Sequence, residues 1–178
     1  PPVVSSAASD VYKRQESDLI VIMQAANTGL TGGSTPFGSD YDRPIVIINT
    51  MRIKDIHIIK EGSQIVGLTG STLYGLERKL KPYGREPHSI IGSTSIGASI
   101  IGGICNNAGG SLVQRGPSYT EMALYARISK TGKLELVNEL GINLGSNPEE
   151  ILDNLQNQNY DESDIHETDQ LGSDNKYS

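Results

Sequence analysis

Tryptophan is absent from this sequence, and phenylalanine and cysteine each occur once in 178 residues. A single cysteine, Cys105, excludes an intrachain disulfide and is typical of a reducing compartment. The small residues around Cys105 indicate a packed thiol rather than a reactive nucleophile. No apolar run approaches the ~20 residues that a membrane-spanning helix needs. We also expect no signal peptide, because the N-terminus lacks a basic start followed by an apolar core.

A basic stripe with interleaved aromatic residues is also missing, so we expect no nucleic-acid partner. The net charge is −6, and nine of the 21 acidic residues lie between Glu149 and Ser178. We expect the acidic end, residues 158–178, to be partly disordered. The opening residues, Pro1 to Gln15, show no sustained periodicity. We therefore expect residues 1–17 to be a non-native or disordered leader.

Familiar nucleotide-binding signatures do not occur either. The chain contains no Gly-x-Gly, which a Rossmann fingerprint requires, and no Gly-Lys-Ser/Thr triplet of a Walker loop. Its three histidines, His57, His88 and His166, are too scattered to indicate a metal site. The sequence thus argues against a P-loop NTPase and against a standard nicotinamide dehydrogenase domain.

Two glycine-rich segments are the most informative features that are present. A short apolar run, Leu19 to Met23, predicts a buried strand that opens into a loop with glycines at 29, 32 and 33. Such a loop can bring many backbone N–H groups close to a ligand, and a diphosphate is the natural guest. An ordinary tight turn between strands is the alternative.

The second segment runs from Gly92 to Gly110 and is rich in glycine and serine. Its isoleucines at 96, 100, 101 and 104 have near-helical spacing, which predicts a short helix with its N-terminus near Ser95 to Gly97. The small residues of this helix suit packing against a backbone or a flat ligand. Packing of the small residues against another helix is the alternative interpretation.

The remaining pattern is one of mixed strands with few helices, which predicts the α+β class. The apolar runs predict strands at Ile45–Ile48, Ile53–Lys60, Gln64–Thr69 and Ser89–Ile91, and a hairpin of Thr120–Ile128 with Leu134–Leu140. A helix is predicted from Ser71 or Thr72 up to Pro82 and Gly84, and a second one from Pro148, capped by Asn147.

Four motifs together resemble one family of known proteins. These are Gln24–Pro36, Arg85–Ser89, Ile96–Asn107 and Gly110–Pro117. In series they resemble the bacterial quinone-dependent D-lactate dehydrogenases, respiratory flavoenzymes with an FAD-binding fold of the vanillyl-alcohol oxidase type. The resemblance covers about Asp18 to Ser178. It implies that residues 18–157 are the N-terminal part of the FAD-binding domain and that residues 158–178 lead into the remainder of a longer protein.

The resemblance also implies which residues hold FAD. The loop after the first strand would bind the pyrophosphate through Ala25, Ala26, Asn27, Thr28, Gly29, Gly33 and Ser34. Alanine and glycine let a backbone approach the ligand, while Asn, Thr and Ser can donate hydrogen bonds. The second segment would contribute Gly92, Ser99 and Gly109 near the flavin and ribityl end.

The activity implied by the resemblance is oxidation of D-lactate to pyruvate, with electrons passed from FAD to a membrane quinone. Such a protein would sit peripherally on the cytoplasmic side of the bacterial inner membrane, and it would contact the membrane surface through regions absent here. The isolated chain is expected to be inactive. An enzyme of the same fold that acts on another 2-hydroxy acid, such as glycolate, and a noncatalytic flavin-binding or structural module are the alternatives.

No catalytic base is assigned from the sequence. His57 is predicted to be a surface or structural residue, whereas His88 either lines the flavin pocket or stabilises a turn. His166 is expected to be solvated in the acidic end. Arg85 and Arg115 suit a carboxylate clamp, but pairing with Glu86, Glu121 or a backbone carbonyl is the stronger alternative.

Overall fold

The structure, a computed structural model, describes residues 18–116, 118 and 122–162. The chain divides into two units, the first with described residues 18–116 and 118, the second with 122–162. The predicted leader, His166, Glu121 and residues 163–178 lie outside the described part. Helices and strands are mixed in the described residues, as the α+β class predicts. No helix in this part is long and apolar enough to cross a membrane.

The first unit begins with a parallel pair of strands. Strand β1 (Ile20–Gln24) pairs with β2 (Ile45–Asn49), in register from Ile20 opposite Ile45 to Gln24 opposite Asn49. Each strand begins with three or four β-branched residues, which suit a pleated and partly buried surface. Each lies within one residue of its predicted position, but the expected burial of β1 is wrong, because none of its residues is buried and Met23 is exposed. The parallel direction places the C-terminal ends of both strands at the same edge, where the first glycine-rich loop begins.

An antiparallel pair follows. Strand β3 (Ile56–Ile59) pairs with β4 (Gln64–Gly67) across a tight turn with left-handed backbone at Glu61 and Gly62. The predicted strand from Ile53 is wrong in its first three residues. The N–H of Ile53 instead donates to the carbonyl of Thr50 at 2.9 Å, which turns the backbone before the strand begins.

Helix α1 (Leu73–Leu80) covers this second pair of strands. The Oγ1 of Thr72 caps it by accepting from the N–H of Gly75 at 3.1 Å, as predicted. Its leucines at 73, 76 and 80 are buried in one cluster with Ile56 and Ile100. Spacings of three and four residues put these leucines on one helix face, so burial of that face holds the helix against the sheet.

Helix α2 (Ile100–Cys105) begins later than predicted. A turn of 3-10 helix at Thr94–Ile96 ends at Gly97, whose φ is 97°, and Ser99 then caps α2. The predicted start near Ser95 to Gly97 is therefore wrong, because the left-handed glycine breaks the helical path.

Two smaller predictions in this region are also wrong. The expected strand Ser89–Ile91 is a single bridge between Ile90 and Gly110, since the carbonyl of Ile91 accepts from the N–H of Thr94 and the chain turns. Cys105 is exposed rather than packed. It is the last residue of α2, next to Ile104, which is the residue that packs on the core.

The second unit is a hairpin followed by a helix. Strands β5 (Ala123–Ile128) and β6 (Leu134–Glu139) are antiparallel, and Gly132 has the positive φ expected of the turn. The predicted first residue of the hairpin, Thr120, lies outside the described part. Helix α3 (Pro148–Gln156) is capped by Asn147, as predicted. The core of the second unit consists of Leu140, Ile142, Leu144, Ile151 and Leu155.

His57 is a buried core residue of β3, with 3% of its surface exposed. Burial lowers the pKa of its imidazole, and the positive charge of Lys79 lowers it further, while Asp55 opposes both. Burial raises the pKa of Asp55, but the hydrogen bond from the N–H of Ile56 and the charges of His57 and Lys79 outweigh this and leave it low. The sequence left a surface or a structural role open for His57, and its burial excludes the surface position.

We expect His57 to make the chain less stable in mild acid. Its folded pKa lies below the ordinary value of 6.5, so the unfolded state binds more protons in that window. The free energy of unfolding should be highest above pH 6.5 and should fall as the pH drops through that value toward the folded pKa. Urea unfolding between about pH 5 and 8 measures this. The variant His57→Gln should have a flatter profile, and an equal slope in both proteins would contradict the assignment.

Candidate functional site

The first glycine-rich loop, residues 25–35, is fixed at its base. The carbonyl of Gln24 accepts from the N–H of Thr50 at 2.8 Å, which continues the pairing beyond the two strands. The side chain of Asn49 donates to the carbonyl of Ala25 at 3.2 Å and to Oε1 of Gln24 at 3.3 Å. Thr50 is buried. The loop thus leaves the sheet from a base made by the C-terminal ends of β1 and β2.

Side-chain hydrogen bonds also close the loop on itself. Asn27, with a left-handed φ of 55°, accepts from the hydroxyls of Ser34 and Thr35 through Oδ1, both at 2.7 Å. The side-chain amide of Gln24 donates to the carbonyl of Ser34 at 2.8 Å. Gly32 has a φ of 70°, and its carbonyl accepts from the N–H of Thr35 at 3.0 Å. The three side-chain contacts join the two ends of the loop across seven to ten residues.

Several main-chain amides of the loop are available to a ligand. Among the described residues, no hydrogen bond uses the N–H of Asn27, Thr28, Gly29, Gly33 or Ser34. Residues 25–37 include no Asp, Glu, Lys or Arg, so no charged side chain of the loop competes for these amides. Successive free N–H groups next to a left-handed residue make a concavity that binds anions.

Three of the predicted site glycines are not required by the packing of the chain. A Cβ on Gly29 or Gly92 would meet no heavy atom within 4 Å, and one on Gly33 would meet only Oγ1 of Thr31 at 4.0 Å. None of the three has a positive φ. By contrast, a Cβ on Gly70 would overlap the carbonyl of Thr50. The open space beside Gly29, Gly33 and Gly92 leaves room for a partner outside the described residues.

Ser99 stands at the junction of two helices. Its Oγ accepts from the N–H of Gly102 at 3.1 Å and so caps α2, and the residue is buried. It forms an antiparallel bridge with Thr72, the cap of α1. The N–H of Ile100 donates to the carbonyl of Ser71 at 2.8 Å. The two helices therefore begin side by side.

Gly92 and Gly109 flank a parallel bridge between Ile90 and Gly110, Gly92 two residues after Ile90 and Gly109 one residue before Gly110. Gly92 is exposed, and the N–H of Gly109 donates to the carbonyl of Asn107 at 3.1 Å. No hydrogen bond among the described residues joins this pair directly to the first loop. Both glycine-rich segments lie in the first unit.

The arginine and histidine candidates have structural contacts. Arg115 pairs with the carboxylate of Glu86 and donates to the carbonyl of Pro87 at 3.1 Å. The Nε2 of His88 lies 3.2 Å from the carbonyl of Arg115, and its Nδ1 lies 3.0 Å from Oγ of Ser89. These bonds favour structural roles for Arg115 and His88.

Arg85 also has a structural contact. Its Nε donates to the carbonyl of Glu61 at 3.2 Å, so the guanidinium holds the turn between β3 and β4. This is the backbone-carbonyl pairing that the sequence left as the alternative to a carboxylate clamp.

Sequence reasoning missed the side chains that shape the loop, namely Asn49, Thr50 and Thr35. A signal for the first two was present, because they follow β2 just as Gln24 and Ala25 follow β1, and parallel strands end at one edge. Thr35 was next to a predicted residue but had no distinguishing pattern. In the described part of the chain, no group of three or more His, Cys, Asp or Glu residues could hold a metal ion.

Comparison with known proteins identifies relatives of the chain, although no protein-family model matches it. It is 65% identical over 162 residues to the quinone-dependent D-lactate dehydrogenase of Haemophilus influenzae, covering 91% of this chain and 29% of that protein. The enzyme of the same name from Escherichia coli is 61% identical over 149 residues, which is 84% of this chain and 26% of the relative.

A more distant relative is similar over the same share of the chain. The quinone-dependent D-lactate dehydrogenase of Corynebacterium glutamicum is 54% identical over 150 residues, again 84% of this chain and 26% of the relative. The family resemblance predicted from the four motifs is confirmed. The chain spans little more than a quarter of the length of these relatives.

Alanine substitutions should separate the glycines that packing requires from those that it does not. We expect Gly70→Ala to lower the free energy of unfolding by at least about 2 kcal/mol, because the new methyl group overlaps the backbone at Thr50. Gly29→Ala should be neutral or stabilising by up to ~1 kcal/mol, since the site is open and unfolded-state entropy falls. Urea unfolding of both variants measures this, and equal losses would contradict the distinction.

Proposed function

We propose that the first glycine-rich loop of this chain, which is similar to a segment of the quinone-dependent D-lactate dehydrogenases, binds the pyrophosphate of FAD. The observation that carries this proposal is a set of main-chain amides that make no hydrogen bond within the described part of the chain, those of Asn27, Thr28, Gly29, Gly33 and Ser34. Ala25 and Ala26 contribute small side chains that let the ligand approach the backbone.

The donor chemistry of the loop fits a diphosphate. Phosphate oxygens accept hydrogen bonds, and backbone N–H groups at Gly29 and Gly33 can reach them because neither glycine has a side chain in the way. Residues 25–37 include no cation, so the loop would hold the negative charge by oriented dipoles alone. This arrangement also explains glycines that the packing of the chain does not require.

The second segment is proposed to face the ribityl and flavin end through Gly92, Ser99 and Gly109. Ser99 accepts a hydrogen bond as a helix cap, but its hydroxyl hydrogen remains able to donate to a ligand. Gly92 is exposed, and its Cβ position is open. The start of α2 would thus serve both the fold and the cofactor.

The proposal extends to the architecture. Residues 18–157 would be the N-terminal part of an FAD-binding domain of the vanillyl-alcohol oxidase type. The supporting observations are the mixed α+β content and the parallel pair of strands that ends in the anion-binding loop.

In the complete protein we place this segment in the oxidation of D-lactate to pyruvate, with electrons passed to a membrane quinone. FAD, when bound, supplies the hydride acceptor. The residues of this chain bind and orient the dinucleotide. His57 is buried and both ring nitrogens of His88 are engaged, so neither is assigned as the base. Peripheral contact with the cytoplasmic face of the inner membrane would come from other parts of the protein.

Flavin binding should depend on the open glycines of the loop. In the complete gene product, Gly29→Ala and Gly33→Ala should each weaken FAD binding by at least about tenfold, because a methyl group would hold the phosphate away from the amides. Fluorescence titration of the apoprotein with FAD measures this. Gly103→Ala is the matched control, since its Cβ position is equally open but lies in α2. Unchanged affinity in both loop variants would refute the pyrophosphate assignment.

Binding through uncharged donors should also be tolerant of salt. We expect the Kd for FAD to rise by less than about threefold when the salt concentration rises from about 0.05 to about 0.5 M, because screening acts mainly on exposed charge pairs. The same titration in a salt series measures this. A steep increase in Kd would show that cationic side chains, rather than amides, hold the pyrophosphate.

A further inference from the structure

Asn27 occupies a backbone conformation that few residues adopt. Its φ of 55° is left-handed, a region that Asn enters more readily than other non-glycine residues. The residue is exposed, so burial does not hold it there. Two hydroxyl groups, from Ser34 and Thr35, converge instead on the single oxygen of its carboxamide at 2.7 Å each.

The direction of these hydrogen bonds decides what the hydroxyls can do. A carboxamide oxygen only accepts, so both hydroxyls donate to it, and each hydroxyl has one hydrogen to give. While these bonds last, neither Ser34 nor Thr35 can donate to a phosphate. The expectation that the side chain of Ser34 donates to the ligand therefore does not fit this loop, although its backbone N–H remains available.

We propose that Asn27 is a positioning residue that preforms the anion-binding loop, and that the hydroxyls of Ser34 and Thr35 serve the loop rather than the ligand. This inference rests on the proposed function for its consequence, flavin affinity, but not for the structural link itself. The structural link consists of the two hydrogen bonds from the hydroxyls of Ser34 and Thr35 to Oδ1 of Asn27. It joins the residues with free amides near Asn27 to those near Ser34. Together with the bond from Gln24 to the carbonyl of Ser34, it brings both sets of amides into one concavity before any ligand arrives.

A preformed loop binds a ligand with a smaller loss of conformational entropy, because the loop is already ordered before binding. Without the link, the open glycines at 29 and 33 would let the loop sample many conformations. In few of these conformations would the amides point at one anion. Asn27 thus acts on the ligand through the backbone of other residues.

A double-mutant cycle in the complete gene product tests the proposal. The two changes are Asn27→Ala and the paired substitution Ser34→Ala with Thr35→Val, and the readouts are the Kd for FAD and hydrogen exchange of the loop amides in the apoprotein. Each change should raise the Kd about tenfold and speed exchange in the loop. Combined, they should raise it no more than either alone, because both break one link. An increase of about a hundredfold, the product of the two, would overturn the proposal.

Two further variants sharpen the test. Asn27→Asp keeps acceptor oxygens and tolerates a left-handed φ, so slow exchange in the loop should return even though the added charge opposes the phosphate. Failure of this rescue would overturn the proposal. Thr31→Val is the control, because among the described residues its hydroxyl makes no hydrogen bond, and it should change neither readout. Faster exchange in the Asn27→Ala variant with unchanged flavin affinity would overturn the proposed role of Asn27 in binding, whereas the pyrophosphate site itself is tested separately by Gly29→Ala and Gly33→Ala.

Discussion

The close contact between the end of the parallel strands and the turn before α1 is the constraint on which the rest of the first unit depends. The N–H of Thr50 donates to the carbonyl of Gln24, and the missing side chain of Gly70 lets the turn lie directly against Thr50. A side chain at position 70 would separate the strands from the helix. This contact therefore sets both the base of the first loop and the place where α1 begins.

Within the loop, main chain and side chains have different tasks. The amide side chains of Gln24 and Asn49 and the carboxamide oxygen of Asn27 bond to other parts of the loop or its base. The free N–H groups are left on the main chain. Residues 25–37 carry no charged side chain, so the pyrophosphate proposed for this loop would be held by main-chain dipoles.

The arginine and histidine side chains, which by type could bind an anion or transfer a proton, make structural contacts. Arg115 joins Glu86 and the carbonyl of Pro87, His57 is buried, and His88 bridges Ser89 and Arg115. These contacts give Arg115, His57 and His88 structural roles in the described part of the chain. The sequence predicted these roles only partly, because burial and pairing of a histidine or arginine depend on residues that are distant in the chain.

What the sequence determined by itself is the local chemistry. The β-branched runs predicted β1 and β2, and the caps Thr72 and Asn147 were found because a cap bonds within three residues of itself. Only the tertiary structure decided that Ser99 begins α2 beside Thr72, that Ile90 makes a single bridge, and that Asn27 ties the loop. Such contacts join residues seven or more positions apart, and their free energy depends on where the whole chain places them rather than on neighbouring residue types.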